Sequence, residues 1–158
     1  MKEEIIEKFG NRVRIRACGI CWKDDKLLMV NHKSLTANNF WAPPGGGLEV
    51  GQSLSDCLKC EFEQETGLII QMGKFLFGCE FIRLPLHAVE LFFEVSILGG
   101  DLKAGYDPEL GEKQQIISSA AFLSGEEIEA IPASQKHGIF KHCQKTKQLN
   151  TLRGFYII

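Results

Sequence analysis

The stretch FWAPPGGGLEVGQSLSDCLKCEFEQETGL, residues 40–68, decides the fold of this chain. Pro43, Pro44 and the run Gly45–Gly46–Gly47 exclude a helix at its start and favour a fixed loop that exposes backbone. Ser53 then has the side chain of an N-cap, Asp56 sits in the first turn where a helix dipole favours negative charge, and Gly67 is a natural C-cap. The spacing predicts a helix from Ser53 to about Thr66. On a wheel that starts at Leu54, Cys57 falls near −60°, Leu58 near +40° and Phe62 near +80°, at about 100° per residue. Those residues form a buried stripe. Glu61, near −20°, and Glu65, near +20°, fall inside that stripe, whereas Glu63 faces solvent.

Two carboxylates one turn apart on a buried face need compensation, because unpaired buried charge is costly and like charges repel. A cation, a basic partner from a neighbouring strand, or a wet cleft supplies it. The loop just upstream offers amides and carbonyls to share a cation or a phosphate with them. Oxygen donors alone favour Mg²⁺ or Mn²⁺ over zinc.

Around this centre the elements alternate. Residues 1–10 read as a short amphipathic helix or an arm. Residues 12–22 and 27–32 read as two strands of a hairpin about the polar turn KDDK, followed by a loop at KSLTANN. Residues 74–83 and 87–98 read as two further strands joined through Pro85. The long polar segment 99–115 is of a length that is more often functional than filler. A strand at 116–124, a short helix capped by Ser124, a last helix over 133–145 and a terminal strand at 154–158 complete the chain. That order predicts one domain over residues 1–158 of α+β class, an α/β/α sandwich with helices covering a mixed sheet.

With 158 residues and a net charge of −2, the chain can bury a core and carries no basic bias towards nucleic acid. The run NRVRIR, residues 11–16, reads as a strand with one wet face. No signal peptide and no apolar run of ~20 residues is seen, so a cytoplasmic protein without membrane contact is expected. Its six cysteines are then expected to be reduced. Two CxxC pairs, Cys18/Cys21 and Cys57/Cys60, have zinc spacing but the wrong settings. The first lies in a strand, where odd separation sends the side chains to opposite faces, and the second lies mid-helix.

The spacing of Gly46, Gln52, Cys60, Glu61, Phe62, Gln64, Glu65, Gly67 and Leu68 resembles the Nudix box of the MutT-like hydrolases, and the upstream FWAPPGGGLEVG is similar to the approach to that box. The resemblance implies a Nudix-type mixed sheet flanked by helices, and it implies hydrolysis of a nucleoside diphosphate linked to another group. Mg²⁺ or Mn²⁺ would be held by Glu61, Glu65, the Gly45 carbonyl and Gln64, with Gly45, Gly46 and Gly47 against the substrate. This chain departs from the pattern at three charged positions, where Gln52, Cys60 and Gln64 stand. The alternative is therefore a catalytically impaired Nudix fold that binds a nucleotide or phosphate. A general base is sought outside the box, with Glu112 favoured over Glu109, Asp107, Glu90 and Glu94. His32 and His87 are candidates to touch phosphate, although lone histidines near strands are more often structural, and Trp41, Phe40 and Phe81 are candidates to stack on a base, although aromatics beside strands are more often core. The expected partner is a nucleotide or another small molecule containing a diphosphate. A homodimer is among the states allowed.

Overall fold

The computed structural model describes residues 2–33, 39–103 and 117–158. Helix α1 (Lys2–Phe9) leads into β1 (Arg12–Ile20), β2 (Trp22–Lys23) and β3 (Lys26–His32). Between β2 and β3 both Asp24 and Asp25 have positive φ, 50° and 58°, as a two-residue hairpin turn of matching twist requires. The short strands β4 (Phe40–Ala42) and β5 (Gly45–Gly47) precede helix α2 (Leu54–Thr66). Two long strands, β6 (Leu68–Arg83) and β7 (Leu86–Gly100), follow it directly. Then come β8 (Ile117–Leu123), α3 (Gly125–Ala130) and β9 (Phe155–Ile157).

The strands form two sheets rather than one. The first has the order β5-β1-β7-β6-β9, with β1 parallel to β7 and β9 parallel to β6. In the second, β3 pairs with β8 along one edge and with β2 and β4 along the other. Two cores result. Cys57, Leu58 and Phe62 of α2 pack with Ala17, Phe93 and Val95 of the first sheet and Leu28 of the second. On the other face Cys18, Phe77 and Phe92 meet Leu27, Met29 and the C-terminal residues Ile128, Ile139 and Leu149. Helical segments therefore cover both faces of the larger sheet, an α+β arrangement. Cys18 and Cys21 fall in different cores, as their odd separation requires.

Helix α2 begins and ends where its sequence dictates. The Ser53 side chain accepts from the Asp56 N–H, and Gly67 closes the helix in the left-handed conformation at φ 75°. Ser53→Ala is expected to cost about 1 kcal/mol. A lower denaturant midpoint with an unchanged slope would show it.

The last helix expected over 133–145 does not form. Three short 3-10 turns take its place, Ala133–Gln135, Gly138–His142 and Thr146–Thr151. Lys136 is extended (φ −141°, ψ 161°) and bridges to Trp41, so an α-helix cannot run through it. The His137 side chain then accepts from the Ile139 N–H, starting a fresh turn. No helix among the described residues is long and apolar enough to cross a membrane.

Candidate active site at the glycine strand

The site forms where the C-terminal half of α2 meets the edge strand β5. Gly45, Gly46 and Gly47 pair antiparallel with Cys18, Ala17 and Arg16 of β1, which holds their peptides in register. Glu65 is 6% exposed. Its Oε2 accepts from the Gly45 N–H at 3.0 Å, and its Oε1 lies 3.3 Å from His32 Nε2. One carboxylate thus ties together the helix, the glycine strand and the second sheet. Glu61 is half-buried, and its carboxylate lies against Gly46 so closely that a Cβ on Gly46 would fall inside it. Below the strand, the Cys57 thiol donates to the Gly46 and Gly47 carbonyls at 3.7 and 3.6 Å. Burial raises its pKa to about 11, so it stays a thiol at neutral pH.

The expected pair is therefore brought to the expected loop. The three altered box positions make local contacts of their own. Gln52 accepts from the Glu49 N–H at 3.1 Å and closes its own turn. Cys60 is exposed and accepts from the Gln64 amide at 3.1 Å. The Gln64 carbonyl oxygen is the group that this leaves for an ion. Gly47 is half-exposed, with nothing within 4 Å of where a Cβ would stand. Glu112, Glu109 and Asp107 lie outside the described residues.

The strand β1 has the one wet face expected of it. Its wet face carries Val13 and Ile15, which are 58% and 39% exposed, and the arginines turn the other way. Arg14 and Arg16 share a face with buried Cys18, an i, i+2 relation that reading the run as simple alternation overlooked. Arg14 lies over the Phe9 ring, 4.4 Å from its centroid, and burial together with Arg16 lowers its pKa to about 10. Arg16 donates from Nη1 to Glu90 Oε1 at 2.7 Å and from Nη2 to the Gly45 carbonyl at 3.0 Å. Its Nε is buried with no hydrogen-bond partner among the described residues.

Glu90, considered as a base, is instead 3% exposed and fully engaged. His137 Nδ1 accepts from the Ile139 N–H at 3.2 Å, so the ring proton sits on Nε2, which meets Glu90 Oε2 at 2.5 Å. Burial alone would push the Glu90 carboxyl up. His137 and Arg16 outweigh it and hold the pKa at about 2, against the usual 4.5. Glu94 is exposed. Cys18 and Cys79 also border this group, both held as thiols by burial.

A depressed carboxylate stabilises the fold above its unfolded pKa and loses that contribution as pH falls through its folded pKa. Glu90 should therefore contribute fully above pH 4.5 and fade towards pH 2. Thermal melts of Glu90→Gln should lie well below those of the unaltered protein at pH 7, with the gap closing across that window. A constant gap would contradict the assignment.

The donor set at the glycine strand fits a hard divalent cation. Glu61 and Glu65 are one helical turn apart, about 5–6 Å between Cβ atoms, and Glu65 is bonded to Gly45 through the glycine N–H. Among the described residues no three His, Cys, Asp or Glu side chains converge as a metal-binding group. Backbone, water and substrate oxygens would complete an Mg²⁺-like shell, as such ions accept.

Comparison with known proteins agrees with this architecture. The NUDIX domain profile matches residues 10–141. An ADP-ribose pyrophosphatase of Methanocaldococcus jannaschii is 35% identical over 97 residues, 60% of this chain. The match spans only 57% of that relative's length. A NUDIX hydrolase from Nitrosomonas europaea superposes with a TM-score of 0.70 at 20% identity, over 84% of this chain and 86% of the other. The MutT protein from Methanosarcina mazei Go1 gives 0.66 at 18% identity, over 84% and 90%. At such identities the two structures speak for the fold.

Proposed function

Since the chain belongs to the NUDIX domain family, we propose that it is a pyrophosphohydrolase acting on a nucleoside diphosphate linked to another group. The observation that carries this is the Glu61–Glu65 pair, seated against the Gly45–Gly47 strand with Glu65 bonded to the Gly45 N–H at 3.0 Å. Glu61, Glu65 and the Gly45 carbonyl would hold Mg²⁺ or Mn²⁺, with the Gln64 carbonyl on the adjoining row of the helix. When bound, such an ion neutralises phosphate oxygens and lowers the pKa of a coordinated water.

The chain's own residues do the positioning. Glu65 is fixed through both oxygens, by Gly45 and His32, so its charge is held in one place without reorganisation. Gly46 lets the Glu61 carboxylate approach the backbone where any side chain would displace it. Gly47, open on its outer side, leaves the strand accessible to a phosphate. The similarity to an ADP-ribose pyrophosphatase supports a nucleoside diphosphate as the recognised unit. Glu112 remains our choice of general base.

The alternative, a Nudix fold that binds such a ligand without efficient turnover, is favoured by the neutral Cys60 and Gln64, which bond each other at 3.1 Å where the family's pattern has charged residues. One assay separates the two. The pure protein is incubated with Mg²⁺ or Mn²⁺ and nucleotide sugars, ADP-ribose, dinucleoside polyphosphates and nucleoside triphosphates, and the products are resolved chromatographically. Metal-dependent release of a nucleoside monophosphate is expected. Metal-dependent binding without product across the panel would establish the alternative.

A further inference from the structure

Arg16 joins parts of the chain that are distant in sequence. Its guanidinium reaches the Gly45 carbonyl on one side and Glu90 of β7 on the other, at 3.0 and 2.7 Å. Glu90 is in turn held by His137 at 2.5 Å, from the turns that cover the opposite face of the sheet. The His137 ring is locked by the Ile139 N–H, and its own backbone N–H donates to the Trp41 carbonyl at 2.9 Å. The side chains of His137 and Glu90 are 8% and 4% exposed, so water does not compete for these bonds.

We propose that His137, Glu90 and Arg16 form a buried brace that sets the direction of the Gly45 carbonyl, making Arg16 and His137 positioning residues for the divalent ion. The proposal rests on the metal site assigned above. Its physical basis is Gly45, both of whose flanking peptide groups are gripped, the Pro44–Gly45 peptide at its N–H by Glu65 and the Gly45–Gly46 peptide at its carbonyl by Arg16. A carbonyl oxygen has two lone pairs, so the bond from Arg16 fixes its aim and leaves one pair for a cation. A guanidinium beside a dication is repulsive unless neutralised, and Glu90 supplies that neutralisation. Glu90 in turn depends on a second donor, His137, to stay ionised in a buried position. Lysine at position 16 would keep the charge but lacks the planar fork that spans both acceptors.

The test is Mn²⁺ affinity, followed by electron paramagnetic resonance of the free ion, for the unaltered protein, Arg16→Lys, His137→Phe, the double variant and His137→Gln. Each of the first two variants should weaken Mn²⁺ binding roughly tenfold, the scale of an outer partner's contribution to a metal site. The double variant should bind no more weakly than the weaker single one. His137→Gln, which retains a donor for Glu90, should restore most of the affinity. A cooperative melt for each protein shows that the fold persists. Single variants within twofold of the unaltered protein would overturn the brace, as would losses that multiply in the double variant. Absence of Mn²⁺ binding in the unaltered protein would overturn both the brace and the metal site beneath it. Binding that follows the expected pattern with no turnover on any substrate would remove the hydrolase reading and leave the brace standing.

Discussion

Gly46→Ala should cut turnover about a hundredfold or more while leaving a folded protein. The new methyl would occupy the space of the Glu61 carboxylate, and neither side has an easy retreat. Gly46 is paired with Ala17 in the sheet, flanked by Gly45 and Gly47 in the same register, and Ala17 is fully buried. Glu61 would therefore swing away from the strand. A displacement of this size at a reacting centre costs on the order of 10²-fold in rate. Stability should fall by only about 1–3 kcal/mol, the usual range for overpacking. Gly47→Ala is the matched control, because its Cβ would meet nothing within 4 Å. It should leave stability nearly unchanged, which separates the collision at Gly46 from the general effect of alanine in this strand. Turnover retained in Gly46→Ala would mean that Glu61 does not need its place against the strand.

The largest loss of stability is expected from Phe62→Ala. Phe62 is fully buried and anchors α2 on the sheet through Gly19, where an added Cβ would collide with the Phe62 ring and Val95. The ring therefore lies against the bare backbone of Gly19, beside the Val95 side chain. Truncation of such a residue costs about 3–5 kcal/mol. That is a large fraction of the roughly 5–15 kcal/mol by which domains are stable. Equilibrium unfolding in urea should show a much lower midpoint. Phe62→Leu, which keeps most of the volume, should lie between the two. A loss below about 1 kcal/mol would mean that α2 is not held by this face.

The helix that carries the site was legible down to its caps, because its signals are local. Ser53, Asp56 and Gly67 act within a few residues of themselves, and the wheel that put Glu61 and Glu65 inward used nothing but helical period. The hairpin turn at Asp24–Asp25 was legible for the same reason. What failed depended on distant partners. The 133–145 segment has helical composition, but Lys136 pairs with Trp41 and His137 is drawn to Glu90, contacts that span 95 and 47 residues. The split of the strands into two sheets likewise rests on β8 returning to β3. Arg16 went unassigned at the site because charge alternating with Val13 and Ile15 looks solvent-facing, and His137 because it falls in the segment read as the last helix. The telling feature is that Cys18, next on the arginine face, lies in a run of buried residues.

The central claim is that Glu65, gripped by Gly45 and His32, carries the charge on which metal-dependent hydrolysis depends. The most direct measurement is the Mg²⁺-dependent turnover of Glu65→Gln on the best substrate of the panel. Glutamine keeps the shape and an oxygen to accept from the Gly45 N–H, so the fold and the strand should hold. The negative charge alone is lost. If that charge contributes several kcal/mol to the transition state, turnover falls by roughly 10²–10³-fold, with the melting profile close to that of the unaltered protein. Undiminished turnover in Glu65→Gln would contradict the account and place the active site elsewhere.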